Sequence, residues 1–95
     1  MYKDTYFEWD SEKESINIAK HNISFTEAQN AFTDQNRIIY KNKKHSKYEK
    51  RTYCIGMVKE KVIMVRFLMR GKRIRIFGVG AWRQAKKLYE QKNKI

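Results

Sequence analysis

Residues 51–79, RTYCIGMVKEKVIMVRFLMRGKRIRIFGV, decide the fold. Arg51–Val58, Lys61–Met69 and Lys72–Val79 are rich in β-branched and aromatic residues, and Lys59-Glu60 and Arg70-Gly71 break them apart. Period-two patterning with two-residue breaks predicts an antiparallel meander joined by tight turns. Upstream, Arg37–Tyr40 reads as another strand, and Lys41–Lys50 as a polar, basic loop.

Outside this stretch the patterning is mostly helical. Thr5–Trp9 alternates and predicts a short strand, with Trp9 packing into the core as the aromatic before a helix cap. Asp10 and Ser11 offer an N-cap, and Ser11-x-x-Glu14 is a possible capping box. Glu12 and Glu14 in the first turn and Lys20 and His21 in the last suit the helix dipole, and Asn22 can end the helix in a left-handed conformation. Ser24-Phe25-Thr26-Glu27 is a second capping box, opening a short helix to about Phe32 whose apolar face carries Phe25, Ala28 and Phe32. Ala81–Lys92 predicts a third helix with Trp82, Ala85 and Tyr89 on one face. The chain has no proline, linker or repeat, so residues 1–95 read as one domain near the lower end of self-sufficient size. The expected class is α+β: a short strand, two helices, three or four antiparallel strands and a final helix, with the helices on one face of the sheet.

Charge narrows the function. Residues 1–36 hold three lysines against seven carboxylates, a net of −4, whereas residues 37–95 hold nineteen Lys or Arg against Glu49, Glu60 and Glu90, a net of +16. So one-sided a field attracts polyanions and opposes compaction, which makes nucleic acid the first candidate partner. Cys54, the only cysteine, excludes an internal disulfide and a four-cysteine zinc site, and its apolar strand makes it a core residue. The three carboxylates of the basic half are far apart and no Gly-rich phosphate loop is present, so neither metal nor cofactor is expected. Met-Tyr-Lys-Asp lacks the order of a signal peptide, and Val62–Val65 is far shorter than the roughly 20 residues of a membrane span. A soluble, cytoplasmic protein is expected.

Arginine marks the open face of the meander. Arg73 and Arg75 alternate with Ile74 and Ile76 and so point away from the core, Arg51 opens the first strand, and Arg66 reaches the open face or finds a buried partner. Arginine grips phosphate bidentately and stays charged at neutral pH. Tyr40, Tyr48 and Tyr53 are interleaved with this charge, and Lys43 and Lys44 add to it, as in proteins that stack single-stranded bases. A second cluster is His45-Ser46-Lys47-Tyr48-Glu49-Lys50-Arg51. Its imidazole, carboxylate and guanidinium could supply a proton donor, a base and a phosphate clamp, which is the set that metal-free RNA cleavage requires. His21 reads as a residue ending a helix.

In this order the residues resemble the BrnT family of bacterial type II toxins, small ribonucleases of the RelE/ParE-like superfamily. Phe7-Glu8-Trp9-Asp10, Lys13, Asn17, Lys20-His21, Ile23-Ser24-Phe25 and Glu27-Ala28 look like its opening signature. His45-Ser46, Glu49, Arg51 and Gly56 match its centre, and Arg73-Ile74-Arg75-Ile76 is similar to its arginine-bearing strand, so the resemblance covers nearly the whole chain. Many relatives continue with a Ser-Ala-Arg segment. Here Phe77-Gly78-Val79-Gly80-Ala81-Trp82-Arg83 stands instead, and the counterpart of that arginine is Arg83 or is missing.

The resemblance implies a toxin that cuts RNA, whether free or as ribosome-bound mRNA, and halts translation. It further implies inhibition by an antitoxin of the ribbon-helix-helix kind, in a complex that binds operator DNA. Arg51, Arg66 and Arg75 would then clamp phosphate, Glu49 and His45 would act as base and acid in an order left open, and Arg83 would assist the leaving phosphate. Trp82 would stack on a base or fix the last helix. Arg73, Tyr53, Lys43 and Lys44 would add to RNA binding. The alternative is a non-catalytic RNA- or DNA-binding module acting as a co-repressor, which does not need His45, Glu49 and Arg51 to converge. A pure protein-interaction subunit explains the charge least well.

Overall fold

The computed structural model describes residues 6–42 and 51–94, with the backbone alone of Asn42 and Arg51. In chain order the elements are β1 (Tyr6–Trp9), α1 (Ser11–His21), α2 (Phe25–Ala28), a 3₁₀ segment (Gln29–Thr33), β2 (Ile38–Asn42), β3 (Arg51–Val58), β4 (Lys61–Arg70), β5 (Arg73–Gly80) and α3 (Arg83–Asn93). The five strands form one sheet in the order β1-β5-β4-β3-β2. The predicted α+β class and meander are both present. β1 joins the meander by pairing parallel to β5, with Glu8 opposite Arg75, so the sheet is mixed.

Asp10 caps α1, its Oδ1 accepting the N–H groups of Glu12 at 2.8 Å and Lys13 at 3.4 Å. The box expected from Ser11 to Glu14 does not form. Glu14 instead accepts Trp9 Nε1–H at 3.2 Å and the N–H groups of Phe25 at 2.9 Å and Thr26 at 3.4 Å. The first N–H groups of a helix have no partner within it, so this carboxylate caps the next helix and ties β1, α1 and α2 together. Trp9 packs edge-on against Phe25, with ring centroids 6.0 Å apart. Ser24 caps α2 as predicted, its Oγ accepting Glu27 N–H at 3.0 Å.

All the helices were expected on one face, and the two cores on opposite faces of β4 overturn this. Ile63, Val65 and Phe67 face α2 and the 3₁₀ segment, packing with Phe25, Phe32, Ile74 and Ile76. Val62 and Met64 face the other way and pack with Ile55, Ala85 and Tyr89 under α3. The cause lies in β4, whose residues 62–65 are apolar on both faces and need cover on both. Buried Cys54 lies in the first core, its Sγ 3.7 Å from the carbonyl oxygen of Ala31, and burial pushes its thiol pKa up to about 12. Gly56 is required by close approach: any Cβ there would stand 2.6 Å from Ala31 O.

The turns differ slightly from expectation. Lys59 (φ 50°) and Glu60 (φ 66°) both take left-handed backbone, as in a type I′ turn. The second turn is Gly71-Lys72, one residue later than predicted, with positive φ at Gly71 only, as in type II′. Pairing between β4 and β5 passes from Arg66↔Gly78 to Phe67↔Ile76, leaving Phe77 as the extra residue of a bulge. Among the described residues no helix is long and apolar enough to cross a membrane.

Asp34 locks α3 to the sheet. Its Oδ2 accepts Tyr89 Oη–H at 2.6 Å and Met57 N–H at 2.7 Å, and its Oδ1 accepts Asn36 N–H at 2.9 Å. Partial burial alone would raise the carboxyl pKa. The bonds from Tyr89, Met57 and Asn36, with Arg37 nearby, outweigh it and hold the group below the ordinary aspartate value. Burial and the bond to Asp34 push the Tyr89 phenol up to about 12. A carboxyl depressed in the folded state adds stability above its unfolded pKa, and that stability is lost as pH falls through the folded value. Wild-type stability is therefore expected to fall on acidification below the ordinary aspartate pKa of about 3.9, and to do so less steeply in Asp34→Asn. Urea midpoints measured across that range check this; parallel pH slopes would rule it out.

Candidate nucleic-acid interface

On the second face of the sheet, register alone builds a row. Tyr40 lies opposite Tyr53, Tyr53 opposite Arg66, and Arg66 opposite Gly78. The Tyr40 and Tyr53 ring centroids are 6.1 Å apart and tilted by 40°. Arg66 is exposed and reaches this open face, where its guanidinium stands 5.9 Å from the centre of the Phe77 ring. Lys13 Nζ lies 5.0 Å from the same ring. The bulge therefore presents an aromatic flanked by two cations, one from α1 and one from β4.

Around this row is a concave pocket of about 480 Å³. Tyr53, Met64 and Arg66 come from the sheet, Lys13, Lys20 and His21 from α1, and Trp82 closes the far side. Asn17, buried one turn before His21, fixes α1 over the bulge: its Oδ1 accepts Val79 N–H and its Nδ2–H donates to Ile23 O, each at 3.0 Å. Trp82 is not in α3 as expected but precedes it as an extended N-cap residue. A Cβ at Gly80 would collide with the Trp82 indole, and the His21 ring centroid lies 5.6 Å from it. The indole, 46% exposed, also lines a second groove with Tyr40, Tyr53, Leu88 and Lys87 between the sheet and α3.

The described site residues divide among four places. Arg66, Tyr53 and Trp82 share the pocket. Arg73 and Arg75 lie toward the opposite end of β5, where Arg75 Nη1–H donates to Glu8 Oε2 at 2.8 Å and Arg73 Nη1–H to Glu8 Oε1 at 3.5 Å. The Arg75 hydrogen bond, opposed by partial burial and helped by the charges of both arginines, holds the Glu8 carboxyl below the usual glutamate range. Arg83 lines a separate cleft with Met57, Glu60 and Glu90 on the other side of Trp82. Arg51 enters β3 opposite Asn42. Lys43, Lys44, His45, Tyr48 and Glu49 lie outside the described residues, as does the Arg51 side chain.

Glu8 holds the Arg75 guanidinium in an ion pair at 2.8 Å. Glu8→Gln is expected to tighten binding of single-stranded RNA and to steepen the dependence of log K on log salt by about 0.7, one further phosphate contact. Filter binding over a salt series checks this, and an unchanged slope would show that freeing Arg75 from Glu8 adds no phosphate contact.

His21, Lys13, Lys20 and Phe77 are pocket residues that sequence reasoning missed. The signal for the α1 residues was present, since positions 13, 17, 20 and 21 fall on one helical face. Nothing in the sequence marked Phe77, because its exposure follows from the bulge. Among the described residues no group of three or more His, Cys, Asp or Glu could hold a metal ion.

No curated protein matches the chain significantly. Residues 9–87 match the sequence model of a family described as the ribonuclease toxin, BrnT, of type II toxin–antitoxin systems. That span includes α1, the bulge, the tyrosine–arginine row and Trp82, and the chain accordingly belongs to the BrnT family of ribonuclease toxins.

Proposed function

We propose that the chain is a metal-independent endoribonuclease that cuts single-stranded RNA across the second face of the sheet and so inhibits translation. The observation that carries this reading is the convergence of Arg66, Lys13 and Lys20 with Tyr53 and Trp82 in one pocket. Arginine and lysine meet the phosphates and offset the charge of the pentacoordinate phosphorus, while the aromatic rings stack bases. Among the described residues, cations, which repel a divalent ion, line the pocket in place of carboxylates. Cleavage proceeds by attack of the ribose 2′-oxygen on the neighbouring phosphorus, with loss of the 5′-oxygen. Arg66 is the main phosphate clamp, Arg73 and Arg51 extend the path along the sheet, Arg75 joins it only on leaving Glu8, and Arg83 meets RNA that passes beyond Trp82. His45 and Glu49 are assigned to proton transfer, and Lys43 and Lys44 to RNA binding, on sequence grounds.

The test is digestion of protein-free total RNA by the purified chain in excess chelator, followed by analysis of the new ends. Cleavage leaving 2′,3′-cyclic phosphate and 5′-hydroxyl ends supports the proposal. Cleavage that needs an added divalent ion overturns the metal-free mechanism.

A second reading, a non-catalytic RNA- or DNA-binding co-repressor, draws support from the dispersal of the arginines. Arg75 is engaged by Glu8 and Arg83 lies in a separate cleft. RNA binding without cleavage under any condition would establish it. For the antitoxin that a type II toxin implies, we assign the ribbon-helix-helix kind, in a complex that binds operator DNA. The basic face supports this, being suited to an acidic segment that competes with RNA. Such an antitoxin should stop cleavage on mixing and retard operator DNA only as the complex.

A further inference from the structure

We infer that His21 is the base that removes the 2′-hydroxyl proton during RNA cleavage. This rests on the ribonuclease reading above and moves the proton-accepting role to α1 from His45 and Glu49, to which sequence alone assigns it.

His21 lines the same pocket as Arg66, Lys13 and Lys20, so a phosphate held by those cations lies beside its ring. Its position is fixed from three sides. Asn17, one turn earlier, is bonded to Val79 on β5 and to Ile23 beyond the helix end. Asn22, in left-handed backbone, closes the helix by donating its N–H to Ile18 O at 2.8 Å. The Trp82 indole, seated over Gly80, meets the imidazole at 5.6 Å and 60°. A surface histidine with no role would not need an exposed tryptophan held against it by a glycine.

The chemistry of the lining leaves few other bases. Lysine and arginine only donate when charged, a phenol holds its proton at neutral pH, and among the described residues no carboxylate lines the pocket. Imidazole is the side chain that ordinarily changes charge between about pH 5 and 8. The described groups that line the pocket with it are Lys20 and Lys13 on its own helix, Arg66 from β4 and Tyr53 from β3, while Phe77, Gly78 and Val79 of β5 and Trp82 bring no charge there. In the reaction the neutral imidazole takes the 2′-hydroxyl proton as that oxygen bonds to phosphorus. The P–O5′ bond breaks, and water protonates the departing O5′. Hydroxide left from that water takes the proton back from the imidazolium. The products are a 2′,3′-cyclic phosphate and a 5′-hydroxyl, with the protein unchanged.

The test measures initial cleavage of total RNA by the full chain between about pH 5 and 8 for wild type, His21→Ala, and His21→Ala with free imidazole. RNA binding is followed in parallel. Expected are a loss of about 100-fold or more in rate with binding retained, disappearance of the rise in rate with pH, and partial recovery with imidazole. Wild-type rate and profile in His21→Ala would overturn the assignment, as would a slow variant that keeps the pH slope and ignores imidazole. A wild-type chain that binds but does not cut would overturn the ribonuclease reading itself, which the wild-type arm reports separately.

Discussion

Replacing Arg66 by alanine is expected to lower RNA cleavage by about two to three orders of magnitude while leaving the fold intact. The size follows from the removal of one preorganised charge aimed at a developing anion, worth roughly 3–4 kcal/mol in a transition state. Stability should barely move, because Arg66 is exposed and its described ring contact is to Phe77 at 5.9 Å, worth about 0.5–1 kcal/mol at an exposed site. Arg66→Lys should fall between, since it keeps the charge and loses the fork that grips two phosphate oxygens. Arg75→Ala should cost less than Arg66→Ala, because Glu8 already holds the Arg75 guanidinium at 2.8 Å. Single-turnover rates on one RNA, with melting curves for each variant, decide this. A wild-type rate in Arg66→Ala would remove the pocket as the working site.

The largest stability effect is expected from Phe32→Ala, at about 3–5 kcal/mol. Phe32 is 1% exposed and joins three elements. From the 3₁₀ segment it meets Phe7 of β1 edge-on at 5.3 Å and Phe67 of β4 at 4.9 Å. Removing the ring opens a cavity where β1, the short helical segment and the centre of the sheet meet, and a sheet fixed by backbone pairing cannot close it. A domain of this size has roughly 5–15 kcal/mol in total, so the melting temperature should drop by on the order of 20 °C. Leu88→Ala, at a residue 45% exposed on α3, serves as the control and should stay within about 0.5 kcal/mol. Urea denaturation of both variants reads the difference, and similar midpoints would mean that the core does not depend on this aromatic joint.

Much of the fold was legible locally. β3, β4 and β5 declared themselves by alternation and two-residue breaks, and Ser24 and Asn22 act as the caps their residue types suggest. Errors arose where a side chain's partner lies far along the chain. Glu14 had the spacing of a capping residue for its own helix, yet it caps α2, eleven residues on, because the turn after Asn22 carries those N–H groups to it. Trp82 has helical spacing to Ala85 and Tyr89, but its indole lies over Gly80 and His21 and its backbone is extended.

The sequence by itself determined the class, the strands, the basic face and the family, because these depend on residue type and on spacing within a few positions. Only the tertiary structure decided which cations meet. Parallel pairing of β1 with β5 set Glu8 against Arg75 and took that arginine into an internal ion pair. The bulge at Phe77 turned an aromatic toward Lys13 and Arg66, and Asn17 fastened α1 above it so that His21 came to the same pocket. The physical reason is that register, bulge position and the docking of α1 are set by pairing and packing between distant segments, which local patterning does not encode.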